Sequence, residues 1–358
     1  MKANYLFFYA FFIFALGSCS APKKIVNKTE SKQEIVTAQN FKFAFYNVEN
    51  LFDINDDPKT IDEEFLPEGK NKWTLERYKL KLNHTARVIA AMDFPVAMGF
   101  AEIENEGVMQ DLVKEPALSA YPYKVVHYDS PDMRGIDVAF IYQEKYFKVL
   151  DSKPIRINFP KELDKKADAE PSLTRDILQV RGVLAGRDTI HYFVNHWPSR
   201  RGGQDESESR RLFVAAQLRQ AVDALLAKNS KANIVIVGDL NDETDNKSVT
   251  DILKAKSPSD TPSSDALYDL MMPLDQAGQG SYKYKDTWNM LDHIIVSGNL
   301  SNSKSTIYVS GATIFKQDFM LYLDKKSGEM LPSHTYVGPK YYGGYSDHLP
   351  VLVNVTLK

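Results

Sequence analysis

The chain contains a single cysteine, Cys19, in 358 residues. One cysteine excludes an intramolecular disulfide, and it also excludes zinc sites that need several thiolate ligands. Stability must therefore come from a hydrophobic core. A metal site must use carboxylate, amide or imidazole ligands, and such ligands favour Mg²⁺, Mn²⁺ or Ca²⁺ over thiolate-bound zinc.

The chain also lacks a large excess of charge of either sign, because its formal net charge at pH 7 is −3. Bulk charge therefore does not indicate a protein that coats nucleic acid non-specifically. It leaves open an enzyme that binds phosphate locally. With 43% hydrophobic and 25% charged residues, the composition is that of a globular protein large enough for a sizeable core.

The N-terminus carries an apolar run at residues 5–16, which is too short to span a bilayer but typical of a signal-peptide core. Leu16-Gly17-Ser18-Cys19 follows and resembles a bacterial lipobox. The resemblance implies a signal peptide over residues 1–18, acylation of Cys19, and a protein secreted across the inner membrane and anchored to the cell envelope. The alternative is a free thiol behind an uncleaved anchor. Polar residues 19–39 predict a flexible tether.

Short apolar runs and helical patterns alternate along the rest of the chain. Helical spacing begins after Thr74 and again over residues 212–226. Buried strands are predicted at residues 41–46, 95–101, 137–142, 191–195, 234–237, 294–296 and 349–355. Because strands and helices do not segregate, we expect one α/β domain over residues 40–358.

Polar residues end or open nearly every predicted strand. These residues are Asn47, Glu102, Asn195, His196, Asp239, Asn241, Asp292, Asp347 and His348. Side chains at strand ends converge on one rim of a sheet, where catalytic groups are commonly displayed. Singly, each has another interpretation. Asp239-Leu240-Asn241 is typical of a turn, Glu102 suits a solvated acidic loop, and Asp347-His348 suits an exposed dipeptide.

Together and in this order, the segments resemble the endonuclease/exonuclease/phosphatase superfamily. They span residues 41–351, which is nearly the whole predicted domain. The matching segments are Tyr46-Asn47-Val48-Glu49-Asn50-Leu51-Phe52, Gly99-Phe100-Ala101-Glu102, Asn195-His196-Trp197, Gly238-Asp239-Leu240-Asn241, Leu291-Asp292-His293-Ile294 and Tyr345-Ser346-Asp347-His348-Leu349-Pro350-Val351. The resemblance implies a four-layer αββα sandwich with the active site at one end of two paired sheets.

The resemblance also implies the roles of individual residues. Glu102 is expected to be the main metal carboxylate, assisted by Asn47 and Asp347, with Mg²⁺ as the metal and Mn²⁺ or Ca²⁺ as alternatives. His348 is expected to be the base and Asp292 the acid that orients it. His196 and Asn241 are expected to hold phosphate oxygens, and Asp239 to assist the nucleophile or the leaving group. The chain departs from many family nucleases at Ala101, where they carry Gln.

Further residues are candidates for substrate contact. Arg134 either contacts phosphate or pairs with Asp132 in a turn. Four arginines could grip a polyanion backbone, namely Arg200, Arg201, Arg210 and Arg211. The alternative for Arg210 and Arg211 is the solvated face of the following helix. Four aromatic residues could stack on bases or sugars or could instead pack in the core, namely Trp197, Tyr282, Tyr284 and Trp288. His293 is interpreted as structural.

Three functions remain open at this point. The first, which we favour, is a nuclease that cleaves DNA or RNA, and the second is a diesterase or phosphatase acting on a small or lipid phosphate ester. The third is a non-catalytic binding lipoprotein, which the set of acidic and imidazole residues disfavours. A sphingomyelinase would be expected to carry an apolar membrane-inserting hairpin, and the sequence shows none. No protein partner is evident beyond the substrate and the membrane anchor.

Overall fold

The computed structural model of the protein describes residues 38–163, 173–200 and 202–358, together with residues 1, 6 and 10. Cys19 and Arg201 lie outside the described residues, so the predictions made for them stay predictions. Contacts join Ala38–Lys358 into one compact unit. In the described part of the chain, no helix has both the length and the hydropathy to cross a membrane.

The regular elements follow one another in mixed α/β order. The strands are β1 (Gln39–Leu51), β2 (Ala97–Ile103), β3 (Lys124–His127), β4 (Asp137–Tyr142), β5 (Phe147–Ile155), β6 (Ile177–Leu184), β7 (Asp188–His196), β8 (Asn233–Asp239), β9 (Ala255–Lys256), β10 (Leu267–Asp269), β11 (Tyr282–Tyr284), β12 (Thr287–Asn289), β13 (Asp292–Ser297), β14 (Ile307–Ile314), β15 (Leu321–Leu323), β16 (Met330–Pro332), β17 (Tyr336–Val337), β18 (Lys340–Tyr341) and β19 (Val351–Leu357). The α-helices are α1 (Leu75–Ala91), α2 (Glu106–Leu112), α3 (Gln204–Lys228), α4 (Met272–Gln276) and α5 (Gly298–Ser301).

Most strands belong to two large sheets. The first sheet has the order β14-β19-β1-β2-β4-β3, and the second has the order β5-β6-β7-β8-β13-β10-β9. Each contains a parallel pair, β1 with β2 and β7 with β8, inside an otherwise largely antiparallel sheet. The remaining strands form three hairpins, β11-β12, β15-β16 and β17-β18.

Alternation along β1 shows how the layers pack. Phe43 and Phe45 belong to the core between the two sheets, whereas Ala44 and Tyr46 belong to the core under α1 and α2. A third core packs α3 against the second sheet. Because successive side chains point to opposite faces, strands covered on both sides are apolar at nearly every position. The helix-sheet-sheet-helix order confirms the predicted αββα sandwich.

The two sheets approach closely at Gly99 of β2. A Cβ atom on Gly99 would lie 2.8 Å from a methyl carbon of Val237 and 2.9 Å from one of Val194, both on the second sheet. Real Cβ contacts are not that short, so the close packing of the sheets requires glycine at this position.

The helices differ from expectation in detail. Thr74 does precede α1 in an extended conformation, but its side chain makes no capping hydrogen bond, and Leu75 is exposed. α3 begins at Gln204, ahead of the predicted start at residue 212. The first two turns of α3 are polar and therefore carry no apolar stripe that a sequence pattern could reveal.

Candidate active site

Three strands of the second sheet meet at one edge with polar side chains. In the sheet register, Asp239 at the end of β8 pairs with His196 at the end of β7 and with Asp292 at the start of β13. β7 runs parallel to β8 and β13 antiparallel, so two strand ends and one strand start share the edge. The register thus makes these three residues neighbours.

The first sheet contributes Glu102 through a bulge. The pairing of β2 with β4 shifts between Ala101 and Ile103, and Glu102 adopts a left-handed φ of 64°. A bulge of this kind redirects one side chain, and positive φ at a residue with a side chain is concentrated at functional sites. The Glu102 carboxylate accepts hydrogen bonds from the Asn47 side chain (3.3 Å) and the Asn50 amide (2.9 Å).

Hydrogen bonds join the two halves of the site. The Asn47 side-chain nitrogen donates to Asp239 Oδ2 at 3.0 Å, and His348 Nδ1 lies 2.7 Å from Asp292 Oδ2. The other ring nitrogen of His348, Nε2, lies 3.7 Å from Asp239 Oδ2, and His196 Nε2 lies at the same distance. The two sheets therefore assemble one buried cluster from residues far apart in the chain.

Asn47 faces the cluster as a donor. Its side-chain oxygen accepts a hydrogen bond from the Glu49 amide at 3.0 Å, and its nitrogen reaches both Glu102 and Asp239. The predicted role of Asn47 as a metal ligand stays a prediction. A donor shared by two carboxylates fixes their separation and partly offsets their repulsion.

Ser281, which the sequence analysis did not single out, and Tyr282, which it named only as a stacking candidate, contact the His348–Asp292 pair. The Ser281 hydroxyl donates to the Asp292 carboxylate and accepts from the Asp292 amide at 3.1 Å. The Tyr282 ring lies 4.7 Å from the His348 ring, tilted by 32°. No local pattern could reveal these contacts, because the chain folds back through the β11-β12 hairpin to make them.

The carboxyl groups of the cluster are short of positive charge. Burial is the largest cause that raises the pKa of Asp239 to about 7, with His348 opposing and Asp292 adding to the rise. Burial also raises the pKa of Asp347, against the attraction of His348, and the charge of Glu102 adds to this rise. Glu102 and Asp347 both line the cleft, and carboxylate oxygens are the ligands that Mg²⁺ or Mn²⁺ prefers. The residues present therefore fit a divalent cation held by Glu102 and Asp347.

The carboxylates around His348 favour its protonated form. Burial by itself lowers the pKa of the imidazole, but the three carboxylates around it outweigh burial and raise the pKa well above its ordinary value. Those carboxylates are Asp292, Asp239 and Asp347. The Asp292 contact therefore both orients the ring and stabilises its protonated form.

Burial and a buried arginine that the sequence analysis missed lower the pKa of His196. Arg175 donates to the Asp132 carboxylate at 3.0 Å and to the Trp197 carbonyl at 2.6 Å. Burial, and then the charges of Arg175 and Arg134, hold the pKa of His196 well below its ordinary value. His196 is therefore neutral, and it can offer a phosphate a hydrogen bond but no charge.

The cluster opens into a cleft of about 690 Å³. The predicted site residues that line it are Glu102, Arg134, His196, Arg200, Asp239, Asn241, Asp347 and His348. Tyr282 and Tyr284 of the β11-β12 hairpin form part of the same wall. A cleft with convergent polar groups and perturbed pKa values is the expected form of an active site.

The two described arginines that line the cleft, Arg134 and Arg200, differ in how many protein groups they bind. Arg134 Nε lies 3.4 Å from Asp132, as expected for a turn pair, and its side chain is also half-exposed on the cleft wall, where it can reach a phosphate. Arg200 donates to the Asn241 carbonyl at 2.7 Å and pairs with Glu243 at 3.2 Å. Arg200 therefore braces the turn after β8 while bordering the cleft.

Neither tryptophan predicted to contact substrate lines the cleft. Trp197 is fully buried in the core under α3, and its indole N–H donates to Asn195 Oδ1 at 3.2 Å. The prediction for Trp197 is wrong, because a ring with no exposed surface cannot stack on a base. Trp288 lines a separate depression of about 360 Å³, with the Lys283 ammonium 5.4 Å from its ring centre.

The turn after β8 is both a turn and part of the site. The Asn241 amide donates to Asp239 Oδ1 at 2.9 Å, which is the self-bonded geometry expected of Asp in a turn. Asn241 has a left-handed φ of 50°, and its side chain donates to the Trp197 carbonyl at 3.0 Å. The Asp239 and Asn241 side chains are thereby fixed beside the cleft.

A buried histidine supports this turn from behind. His293 donates through Nδ1 to Asp269 at 2.7 Å and through Nε2 to the Asp242 carbonyl at 2.9 Å. Burial lowers the pKa of His293, but Asp269 and the Asp242 carbonyl outweigh it and raise the pKa to about 9. Asp242 also pairs with Arg211, which is fully buried and not on the solvated helix face that its sequence suggested.

Known structures share the fold at low sequence identity. A humanized TDP2 of D. rerio matches with a TM-score of 0.51 and 14% identity over 88% of this chain and 98% of that chain. Endonuclease/exonuclease/phosphatase proteins from Bacteroides thetaiotaomicron (TM-score 0.51, 14% identity, 90% and 96% covered) and Bacteroides vulgatus (0.52, 12%, 89% and 100%) match similarly. No curated protein sequence matches this chain.

The family assignment comes from the sequence model of the endonuclease/exonuclease/phosphatase family, which matches residues 42–357. The match covers nearly all of the αββα sandwich and every element that lines the cleft. Enzymes of this family are metal-dependent hydrolases of phosphoester bonds. The chain therefore belongs to the endonuclease/exonuclease/phosphatase family and is a hydrolase acting on phosphoester bonds.

Proposed function

We propose that the protein is a nuclease that hydrolyses phosphodiester bonds of DNA or RNA with water activated by His348 and Asp292. The observation that carries this proposal is the buried 2.7 Å contact between His348 and Asp292, with the second ring nitrogen of His348 turned toward Asp239 and the cleft. A non-catalytic binding protein has no use for a buried base and its orienting acid.

The proton path follows from the contacts of His348. Asp292 accepts a hydrogen bond from Nδ1–H of the neutral ring, so Nε2 is the nitrogen that takes a proton from the attacking water. The proton then leaves with the product oxygen, and Asp239, 3.7 Å from Nε2, lies where it can assist the nucleophile or the leaving group. Ser281 and Tyr282 limit the motion of Asp292 and of the imidazole ring.

The phosphate is held by neutral donors and by positive charge. His196 and Asn241 border the cleft on the side of the second sheet and offer N–H groups to phosphate oxygens. A divalent cation, when bound to Glu102 and Asp347, supplies positive charge that polarises the phosphate and offsets the carboxylates around His348. We propose Mg²⁺ or Mn²⁺, with Ca²⁺ as an alternative, because the ligands are oxygens.

The cleft wall favours a nucleic acid over a small ester. Tyr284 is largely exposed in the β11-β12 hairpin, and Arg134 is half-exposed on the wall of the same cleft. Exposed aromatic rings stack on bases, and arginine pairs with backbone phosphates. One observation favours the alternative of a small phosphate ester. Arg200 is hydrogen-bonded to the Asn241 carbonyl, so one fewer arginine is free to bind the backbone phosphates of a polymer.

We also propose that Cys19 is acylated and anchors the secreted enzyme to the cell envelope. β1 enters the first sheet at Gln39 and reaches the cluster at Asn47, a distance of about 26 Å at the rise of a β-strand. The strand therefore begins at the end of the sheet remote from the cleft.

A double-mutant cycle tests the water-activating pair. Replacing His348 with Ala should lower the single-turnover rate by roughly 10²-fold or more, which is the usual scale for a general base. Asp292→Asn should give a similar loss, and the double variant should cost little more than the worse single change, since the two act as a unit. Near wild-type chemistry in a folded His348→Ala protein would show that this pair does not generate the nucleophile.

A pair of arginine variants tests the substrate class. Arg134→Ala should reduce cleavage of plasmid DNA and RNA much more than cleavage of a chromogenic phosphodiester, and it should flatten the salt dependence by about one unit of slope. Arg181→Ala is the matched control, because Arg181 is also partly exposed but pairs with Asp151 away from the cleft. Equal losses on polymer and small diester would favour the small-ester alternative.

A further inference from the structure

One face of α1 carries four polar side chains that all reach the same distant segment. The residues are Arg77, Lys81, His84 and Arg87, spaced by three or four positions, so they form one stripe along the helix. The segment is residues 333–345, the Gly- and Tyr-rich stretch that leads into Asp347 and His348. We call these four side chains the α1 stripe.

Lys81 is the centre of the stripe and is almost completely buried, with 2% of the residue exposed. Its ammonium donates to Thr335 Oγ1 at 2.6 Å and to the Tyr345 carbonyl at 2.7 Å. Lysine is rarely buried without a specific partner, because desolvating an ammonium is costly. The two bonds fasten both ends of the loop that contains β17 and β18.

The neighbours of Lys81 grip the same loop. His84 lies 3.2 Å from the Gly344 carbonyl, and its ring stacks on Tyr345 at 4.1 Å. Arg87 donates to the Tyr345 hydroxyl at 3.0 Å. One turn before Lys81, the Arg77 guanidinium lies 4.0 Å from the ring centre of Tyr341.

The gripped loop is directly continuous with the active site. The Ser346 hydroxyl, one residue beyond Tyr345, donates to the Asn47 carbonyl at 2.7 Å and accepts from the His348 amide at 3.1 Å. At the other end of the loop, the Thr335 amide donates to the buried Glu49 carboxylate at 2.7 Å. A displacement of this loop therefore moves Asp347 and His348 together.

We propose that Lys81, supported by the rest of the α1 stripe, is a positioning residue that sets the placement of Asp347 and His348 in the active site. The proposal rests on the proposed function only for the roles of Asp347 and His348. Positioning within a fraction of an ångström matters, because metal ligation and in-line attack both depend on it.

Charge supports the same assignment. Lys81 lies close enough to Glu49 and Asp347 to lower the pKa of each, although burial raises both. Burial lowers the pKa of Lys81 itself, and the charges of Glu49 and Asp347 oppose that effect and favour the ammonium form. An apolar side chain of the same length would fill the space but would supply neither the charge nor the two hydrogen bonds.

The test replaces Lys81 with Met in the full chain. Three readouts are compared with the wild type, namely the dissociation constant for Mn²⁺, amide exchange of Tyr345 and Ser346, and single-turnover rate. We expect Mn²⁺ to bind about tenfold more weakly, as is usual when a residue supporting a ligand is lost. The two amides, which donate to the Ser333 carbonyl, should exchange faster, and turnover should fall by about tenfold or more.

Lys79→Met is the matched control, since it removes the same charge from an exposed position of the same helix and should leave all three readouts unchanged. Thr85→Ala controls for lost stability, because Thr85 is buried in α1 and bonds only the Lys81 backbone carbonyl there. If Lys81→Met does not fold, Thr335→Val removes one of the two acceptors and decides by the same readouts.

A folded Lys81→Met protein with wild-type Mn²⁺ affinity and wild-type exchange of Tyr345 and Ser346 would overturn the proposal. Metal binding and amide exchange use no substrate. Failure of the positioning role can therefore be told apart from failure of the proposed nuclease activity, which only the turnover measurement reports.

Discussion

Replacing His293 with Gln should remove a pH-dependent contribution to stability that the wild-type protein loses in alkali. The imidazole is fully buried and donates from both ring nitrogens, to Asp269 and to the Asp242 carbonyl. Only the protonated ring can make both bonds, since a neutral imidazole has a single N–H. Loss of the proton therefore breaks one bond and leaves Asp269 without its counter-charge.

The size and sign of this effect follow from the pKa of His293. Burial opposes the charged form, but Asp269 and the Asp242 carbonyl raise the pKa from 6.5 to about 9. A group whose pKa is raised by folding stabilises the native state fully below the unfolded pKa and loses that stabilisation as pH rises through the folded pKa. At 1.36 kcal/mol per pKa unit, about 3 kcal/mol is lost between about pH 6.5 and pH 9.

Urea unfolding of the wild type and of His293→Gln at intervals from pH 6 to pH 10 measures the effect. Other buried groups titrate in the same range, including Asp239 with a pKa of about 7, so the difference between the two proteins is the quantity to follow. That difference should shrink by about 3 kcal/mol as pH rises. A difference that stays constant across the range would refute the assignment of His293 as a buried cation.

Three further outcomes are expected. Glu102→Gln should raise the Mg²⁺ concentration needed for half-maximal activity by roughly tenfold or more with the fold intact, as direct metal titration and circular dichroism would check; activity that persists in excess EDTA would contradict the metal site. Trp197→Phe should lower the free energy of unfolding by about 1–3 kcal/mol, because it leaves a cavity and removes a hydrogen bond. The values of kcat and KM should not change below the melting temperature. A rise in KM alone would support the original prediction that Trp197 contacts substrate. Cys19→Ala should leave an unprocessed precursor without acyl label, and normal acylation of that variant would exclude the lipobox interpretation.

Several features of the fold could be read from the sequence. The apolar runs at residues 137–142 and 234–237 correspond to β4 and to most of β8, because strands buried on both faces are apolar at successive positions. By contrast, the sequence predicts no strand at residues 151–155, yet they form part of β5, an edge strand whose exposed face shows little apolar signal. Hydrophobic pattern reports burial, and it is weakest where one face of an element meets solvent.

The sequence by itself also determined the family, because the order of polar residues at strand ends is a local property that each strand preserves. It could not decide which polar side chains face the cleft. Trp197 and Arg200 are near neighbours in one segment, yet the first is fully buried and the second borders the cleft while bracing Asn241. Lys81 and Arg175 showed no signal at all.

Tertiary structure alone decided these cases, since each depends on contacts between residues far apart in the chain. Lys81 meets Thr335 and Tyr345 only because α1 packs beside the loop that leads to His348. Local propensity fixes which elements form, whereas sheet register and layer packing fix which side chains become neighbours. Burial and neighbouring charges then shift the pKa of His196 down and the pKa of His348 up, although both residues are histidines.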